Sequence, residues 1–145
     1  MKAILQRVHT AGVSVDSNEI SRIENGWLIL LGVKEGDTEE DARFLAKKTL
    51  NLRCFNDAEG KMNLNVQQVG GSLLVVSQFT LYANCEKGLR PSFVKAARPE
   101  TAQKLYEFFV SLLKKSGLKV ETGSFGAKMT VHMDGDGPVT IPLEF

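Results

Sequence analysis

The stretch that most constrains the fold is Ser72–Leu81, whose apolar residues fall on both of the faces that a strand presents. Successive strand side chains point to opposite sides, so this run needs cover above and below and reads as a central strand. Two segments carry the helical period to supply that cover. The first opens at Gly36-Asp37-Thr38-Glu39-Glu40, where Asp37 as N-cap with Glu40 three positions on makes a start like a capping box. Ala42, Leu45, Ala46, Thr49 and Leu50 then share one face as far as about Leu52. The second opens at Pro99-Glu100-Thr101, buries Leu105, Phe108, Phe109, Leu112 and Leu113, and stops at Gly117.

The rest of the chain reads as strands. Ile4, Gln6 and Val8 alternate with Leu5, Arg7 and His9, and Val13 and Val15 resume the period after Gly12. Ile20–Ile23 and the apolar run Trp27–Val33 follow, with Asn25-Gly26 between them as a hairpin signal. Arg53–Phe55 and Lys61–Leu64 flank a polar hairpin loop, and Val120, Met129–Met133 and Val139–Phe145 make a strand-rich C-terminal part. With 145 residues and no linker or repeat, the expectation is one α+β domain over residues 1–145. Its sheet, mixed or antiparallel, is expected to curl strongly towards a barrel carrying two helices.

Composition narrows function mainly by exclusion. At 43% hydrophobic and 24% charged residues, the chain is neither a disordered tail nor a fibre nor a coiled coil. Its 18 basic residues nearly cancel its 17 acidic ones, so a polyanionic partner would need a local patch. Gln6-Arg7 breaks the N-terminal apolar stretch, and Trp27–Val33 is too short to cross a bilayer, so a cytoplasmic protein with no membrane partner is expected. Cys54 and Cys85 stand alone, without zinc spacing or a disulfide pattern, and neither metal nor cofactor is expected. Cys85 as a nucleophile would need a base, and His9 and His132 both lie within strand patterns.

Three segments carry the chemistry. In Ser77-Gln78-Phe79-Thr80-Leu81, polar residues interrupt the apolar strand as it runs out, and hydroxyls, an amide and backbone N–H groups there can make an oxyanion-stabilising corner or merely satisfy a loop. Glycines 123, 126, 135 and 137 surround the second segment, in which Gly137-Pro138 lies between two strands and reads equally as a tight turn. The third, Lys87 to Arg98, holds Lys87, Arg90, Lys95 and Arg98 against a single acid, Glu86, and can contact phosphates or remain a solvated loop.

Taken in order, Ser77-Gln78-Phe79-Thr80-Leu81-Tyr82, Lys87-Gly88 with Arg90-Pro91-Ser92-Phe93, Phe125-Gly126-Ala127 and Gly137-Pro138-Val139-Thr140 closely resemble the D-aminoacyl-tRNA deacylase family. Gln6-Arg7-Val8, Asn51-Leu52-Arg53 and Gly60-Lys61-Met62-Asn63 extend the resemblance across the chain. One departure is Gly135-Asp136-Gly137-Pro138, where the family usually carries Asn-Asp-Gly-Pro.

The resemblance implies a cytosolic homodimer with its active sites at the interface. It implies hydrolysis of the ester joining a D-amino acid, or glycine, to the tRNA acceptor end, as proofreading in translation quality control. It implies a cis Gly137-Pro138 peptide, inserted from one subunit into the other's pocket as a chirality gate. Arg7 and Met129 would join Gly137 and Pro138 in binding substrate, with Arg7 orienting the Gly-Pro loop. Ser77, Gln78, Phe79 and Thr80 would form the catalytic corner. Either Thr80 is the nucleophile, or a water directed by the tRNA's own 2′-hydroxyl attacks an ester held by backbone amides around Phe79 and Thr80. The rival reading from another class is a non-catalytic RNA- or nucleotide-binding module using the same basic loop and curled sheet.

Overall fold

The computed structural model describes residues Met1–Phe145 and runs β1 (Lys2–Val15), β2 (Asn18–Ile23), β3 (Gly26–Gly32), α1 (Glu39–Asn51), β4 (Phe55–Asn56), β5 (Met62–Leu64), β6 (Ser72–Ser77), a 3₁₀ turn (Phe79–Tyr82), α2 (Pro99–Lys114), β7 (Val120–Thr122) and β8 (Thr130–Glu144). The main sheet is ordered β2-β1-β3-β6-β7, with β8 on the other flank of β1, and β4 pairs β5 in a separate ribbon. β3, β6 and β7 run parallel, whereas β1 is antiparallel to β2, β3 and β8. This is the expected mixed α+β sheet, nearly closed into a barrel.

Parity along the central strands explains the two cores. Trp27, Ile29 and Leu31 of β3 join Leu73 and Val75 of β6 under α1 (Ala42, Leu45, Ala46) and α2 (Leu105, Phe109, Leu113). The alternate residues Leu28, Leu74 and Val76 face the inside of the curl with Val8, Ala11, Val13 and Ile23. Thus Ser72–Ser77 is covered on both faces, as its pattern demands. β1 feeds both cores because its pairing with β8 slips between Gln6 and Val8 and again between Val8 and Thr10. Such bulges re-aim side chains. Ile23 beside Leu74 and Val76, and the Lys119 ammonium donating to the Arg22 carbonyl at 2.8 Å, draw β2 round towards the β6–β7 side.

Several local expectations are corrected. Asn25-Gly26 does not close a hairpin, because β2 and β3 each pair with β1 rather than with each other. Gly26 is required by contact instead: a Cβ there would sit 1.8 Å from the Ser72 carbonyl oxygen. The real two-residue hairpin turn is Asp16-Ser17, at φ 48° and 66°, between Val15 and Asn18, which pair. Both signs match the turn that suits strand twist, without the usual glycine to advertise it. The N-cap of α1 is Thr38, in a reciprocal box with Asp41, not Asp37 with Glu40. Asp37 is taken elsewhere, accepting from the Met1 ammonium at 2.8 Å and the Lys34 amide at 2.7 Å. On α2, Tyr106 and Val110 are buried too, and Phe108 and Leu112 pack only partly. The two expected C-terminal strands are one, β8, running through the Gly137-Pro138 pair without a hairpin turn.

Candidate active site

The expected strand Ser72–Leu81 ends early, at Ser77, and this makes the site. The Gln78 amide still donates to the Leu31 carbonyl at 2.8 Å, as the ladder would require. The chain then leaves extended geometry (ψ 81° at Gln78) and coils into the 3₁₀ turn Phe79–Tyr82, so the strand alternation expected for Phe79 and Thr80 does not hold. The Leu81 amide donates back to the Gln78 carbonyl at 3.3 Å. No side chain caps the turn, and the leading amides of a helical turn have no carbonyl within it. Those amides belong to Phe79 and Thr80.

The corner opens into a cavity of about 680 Å³, a size that suits a small ligand. Ser77, Gln78 and Phe79 line one side, and Phe125-Gly126-Ala127 and Met129 another. Phe93, Ala96 and Arg98 bring the end of the basic loop to the same space. Segments far apart in sequence therefore meet, as their joint appearance in the chain suggested. Phe79 and Phe93 stand edge to face with ring centroids 5.0 Å apart, and Phe79 is 57% exposed. The floor is held by Tyr106, whose hydroxyl donates to the Val75 carbonyl at 2.8 Å, and burial raises its pKa so that it stays a neutral donor.

Thr80 lies just outside the lining, with its hydroxyl accepting from the Gln78 side-chain amide. No imidazole lines the cavity: His9 lies 3.7 Å from Asp136, and His132 lies 3.3 Å from Glu19. The thiols lie outside it too. Cys85 borders a separate groove on the far side of the 3₁₀ turn, and burial raises the Cys54 pKa against the pull of Arg7.

Arg7, Gly137 and Pro138 are not in the cavity of their own chain. The Gly137-Pro138 bond is cis. Both residues are exposed on β8, next to Asp136. Arg7 is buried and donates to the Cys54 carbonyl at 2.6 Å and to Asn56 Oδ1 at 3.2 Å. Its Nε lies 2.8 Å from Asp136 Oδ2, off the N–H axis, so the contact there is ionic rather than a formed hydrogen bond. Arg7 thus ties the residue before the Gly-Pro pair to the β4 strand. Sequence reading missed Tyr106 as part of the site and named Arg98 only as one of four cations in a loop able to contact phosphates. Tyr106 is one more apolar position by periodicity, and Arg98 is one more charge in a basic loop.

The protein is thus a nearly closed mixed α+β barrel with two helices on one face and a polar strand end opening into an aromatic cavity. A solved structure described as "Structural Analysis of a probable eukaryotic D-amino acid tRNA deacylase" has this fold at TM-score 0.83, with 17% identity over 98% of this chain and 97% of that one. A nearer structure, described as "c-Myc DNA Unwinding Element Binding Protein", matches at TM-score 0.94 and 42% identity over 100% and 99% of the two chains. Curated relatives named D-aminoacyl-tRNA deacylase include those of Thermosipho africanus, 53% identical over 99% of this chain and 97% of theirs, and Halalkalibacterium halodurans, 52% identical over 99% of each. The profile described as D-Tyr-tRNA(Tyr) deacylase matches residues 4–144, and the chain belongs to that family.

Proposed function

We propose that this protein is an esterase that removes D-amino acids from tRNA, freeing the amino acid and regenerating the 3′-terminal ribose hydroxyl. The observation that carries the reading is the Ser77–Thr80 corner, where uncapped backbone amides stand at the mouth of an aromatic cavity. Curated relatives spanning the same length bear the name of that activity. An aminoacyl ester is already reactive, so positioning and oxyanion stabilisation supply what catalysis needs. Water attacks the acyl carbon, the carbonyl oxygen takes the developing charge against the Phe79 and Thr80 amides, and the C–O bond to ribose breaks. Ser77 and Gln78 hold the ester and ribose. The 2′-hydroxyl of the substrate directs the water, a role that the lack of an imidazole in the cavity leaves to the substrate.

Chirality is assigned to Gly137 and Pro138 of a second copy, in a homodimer whose sites lie at the interface, with Arg7 orienting the pair and Met129 lining the receiving cavity. Two features favour this arrangement. The pair is exposed and outside its own chain's cavity, and β8 pairs only with β1, leaving its other edge open beside the exposed Val131 and Met133. Backbone carbonyls facing the α-carbon exclude an L side chain by collision and let a D side chain point out to solvent. Glycine passes too, which makes glycyl-tRNA a second substrate. A ten-thousandfold preference requires about 5.5 kcal/mol, within reach of a steric clash but beyond a lost methylene contact. In the cell this is cytoplasmic translation quality control.

The deciding experiment is paired hydrolysis of D-tyrosyl-tRNA and L-tyrosyl-tRNA by the purified protein, followed by release of free tyrosine. Loss of the D ester alone is expected, and equal loss of both would remove the chirality assignment. Tight tRNA binding with no hydrolysis would instead favour the nucleic-acid-binding reading, towards which the name of one solved relative points.

A further inference from the structure

Arg98 is the only charged residue lining the cavity. Its backbone is fixed on both sides: the Ala97 amide donates to the Val33 carbonyl at 3.0 Å, and the Arg98 carbonyl accepts from Ala102 at 2.9 Å in the first turn of α2. Its side chain is exposed, caps no amide, and meets no carboxylate in an ion pair. An exposed arginine with a fixed root and no internal partner therefore lines a cavity whose walls are otherwise neutral and mostly apolar.

An aminoacylated 3′ end brings three kinds of group to that cavity. The α-ammonium of the amino acid is cationic and is repelled by Arg98. The ribose, base and ester are neutral. The phosphodiester 5′ to the terminal nucleoside is the single anion. We propose that Arg98 binds this phosphate and so sets the direction of the substrate in the cavity. The phosphate lies at the α2 end, the base lies among Phe79, Phe93 and Phe125, and the ester lies at the Ser77–Thr80 corner. The assignment rests on the deacylase reading for its substrate. Its chemistry, one phosphate on one planar fork of donors, is independent of turnover.

The test therefore begins without turnover. Wild-type protein, Arg98→Ala and Arg98→Lys are titrated calorimetrically with adenosine 5′-monophosphate and with adenosine. Wild type is expected to favour the monophosphate by about tenfold, the size of one charged hydrogen-bonded contact. Arg98→Ala should bind both ligands alike with adenosine affinity unchanged, and Arg98→Lys should recover part of the preference. A preference that survives in Arg98→Ala, or adenosine affinity that falls in parallel, overturns the proposal. In turnover of D-tyrosyl-tRNA, Arg98→Ala should raise KM, leave kcat alone, and make the salt dependence of log KM shallower by about 0.7, one single-strand phosphate. An unchanged salt slope also overturns it. A wild-type protein that prefers the monophosphate through Arg98 yet cleaves neither ester would sink the deacylase reading and leave the phosphate site standing.

Discussion

At the scale of the residue, the most consequential side chain for the Gly-Pro pair lies outside its own chain's cavity. Arg7 is buried, and it satisfies the Cys54 carbonyl and Asn56 while facing the Asp136 carboxylate. Removing it strands a carbonyl and a carboxylate, so Arg7→Ala should lose roughly 3 kcal/mol of stability, read as a lower urea midpoint at unchanged slope. Its D/L ratio should fall more than its rate on the D ester, because the residue that positions Asp136 and its neighbours is gone. Thr80 is the opposite case. Its hydroxyl accepts from Gln78 and has no imidazole to take its proton, so Thr80→Ala should keep substantial activity, and near-total loss in a folded variant would make it the nucleophile. Gly135 stands where the family pattern has asparagine. A Cβ there would meet only the Met133 methyl at 3.9 Å, an ordinary van der Waals contact, so a side chain can start at this position without a clash. Gly135→Asn should fold with unchanged or slightly higher stability, by about 0.5 kcal/mol, through a stiffer unfolded chain.

At the scale of the element, α1 carries a pH-dependent contribution at its start. Thr38 and Asp41 bond reciprocally, and the Thr38 hydroxyl and then its amide hold the Asp41 carboxyl below its usual range. A carboxyl depressed on folding contributes stability that is fully present above its unfolded value, about 3.9, and is lost as pH falls through the lower folded one. Thr38→Ala should therefore cost about 1 kcal/mol near neutrality and flatten the acid side of a urea-midpoint profile. α2 is pinned to β6 two residues before Ser77 by the Tyr106 hydroxyl. Tyr106→Phe should cost roughly 1–2 kcal/mol by leaving the Val75 carbonyl unpaired. Helix positions and faces were largely legible, because burial at 3.6-residue spacing leaves a strong trace. The N-cap was misassigned by one residue since Asp37 and Thr38 are both good caps. Only the Met1 ammonium and Lys34, which take up Asp37, decide between them.

At the scale of the molecule, a formal charge of +1 gives no general attraction for RNA, which fits the proposed substrate being held through few, local phosphate contacts. The salt slope for D-tyrosyl-tRNA should stay shallower than about −4, the value that six single-strand contacts would impose. Sedimentation should give twice the 16.0 kDa chain mass if the exposed edge of β8 is covered by a second copy, as proposed above. A monomer that still discriminates D from L would move chirality back into the single chain.

Local pattern alone determined the two helices, the doubly covered strand and the order of the motifs, since periodicity, caps and turn residues act over a few neighbours. It also singled out Ser77, Gln78, Phe79 and the Phe125-Gly126-Ala127 segment, which the cavity does bring together. Only the tertiary structure decided that the polar strand end coils into a 3₁₀ turn with free leading amides. It alone separated Gly137-Pro138 from the cavity, ran β8 unbroken through that pair, and gave Arg98 and Tyr106 their places in the site. The physical reason is range. Register slips, the curl of the sheet and the partner of a buried charge depend on groups many tens of residues apart, and no local periodicity records them.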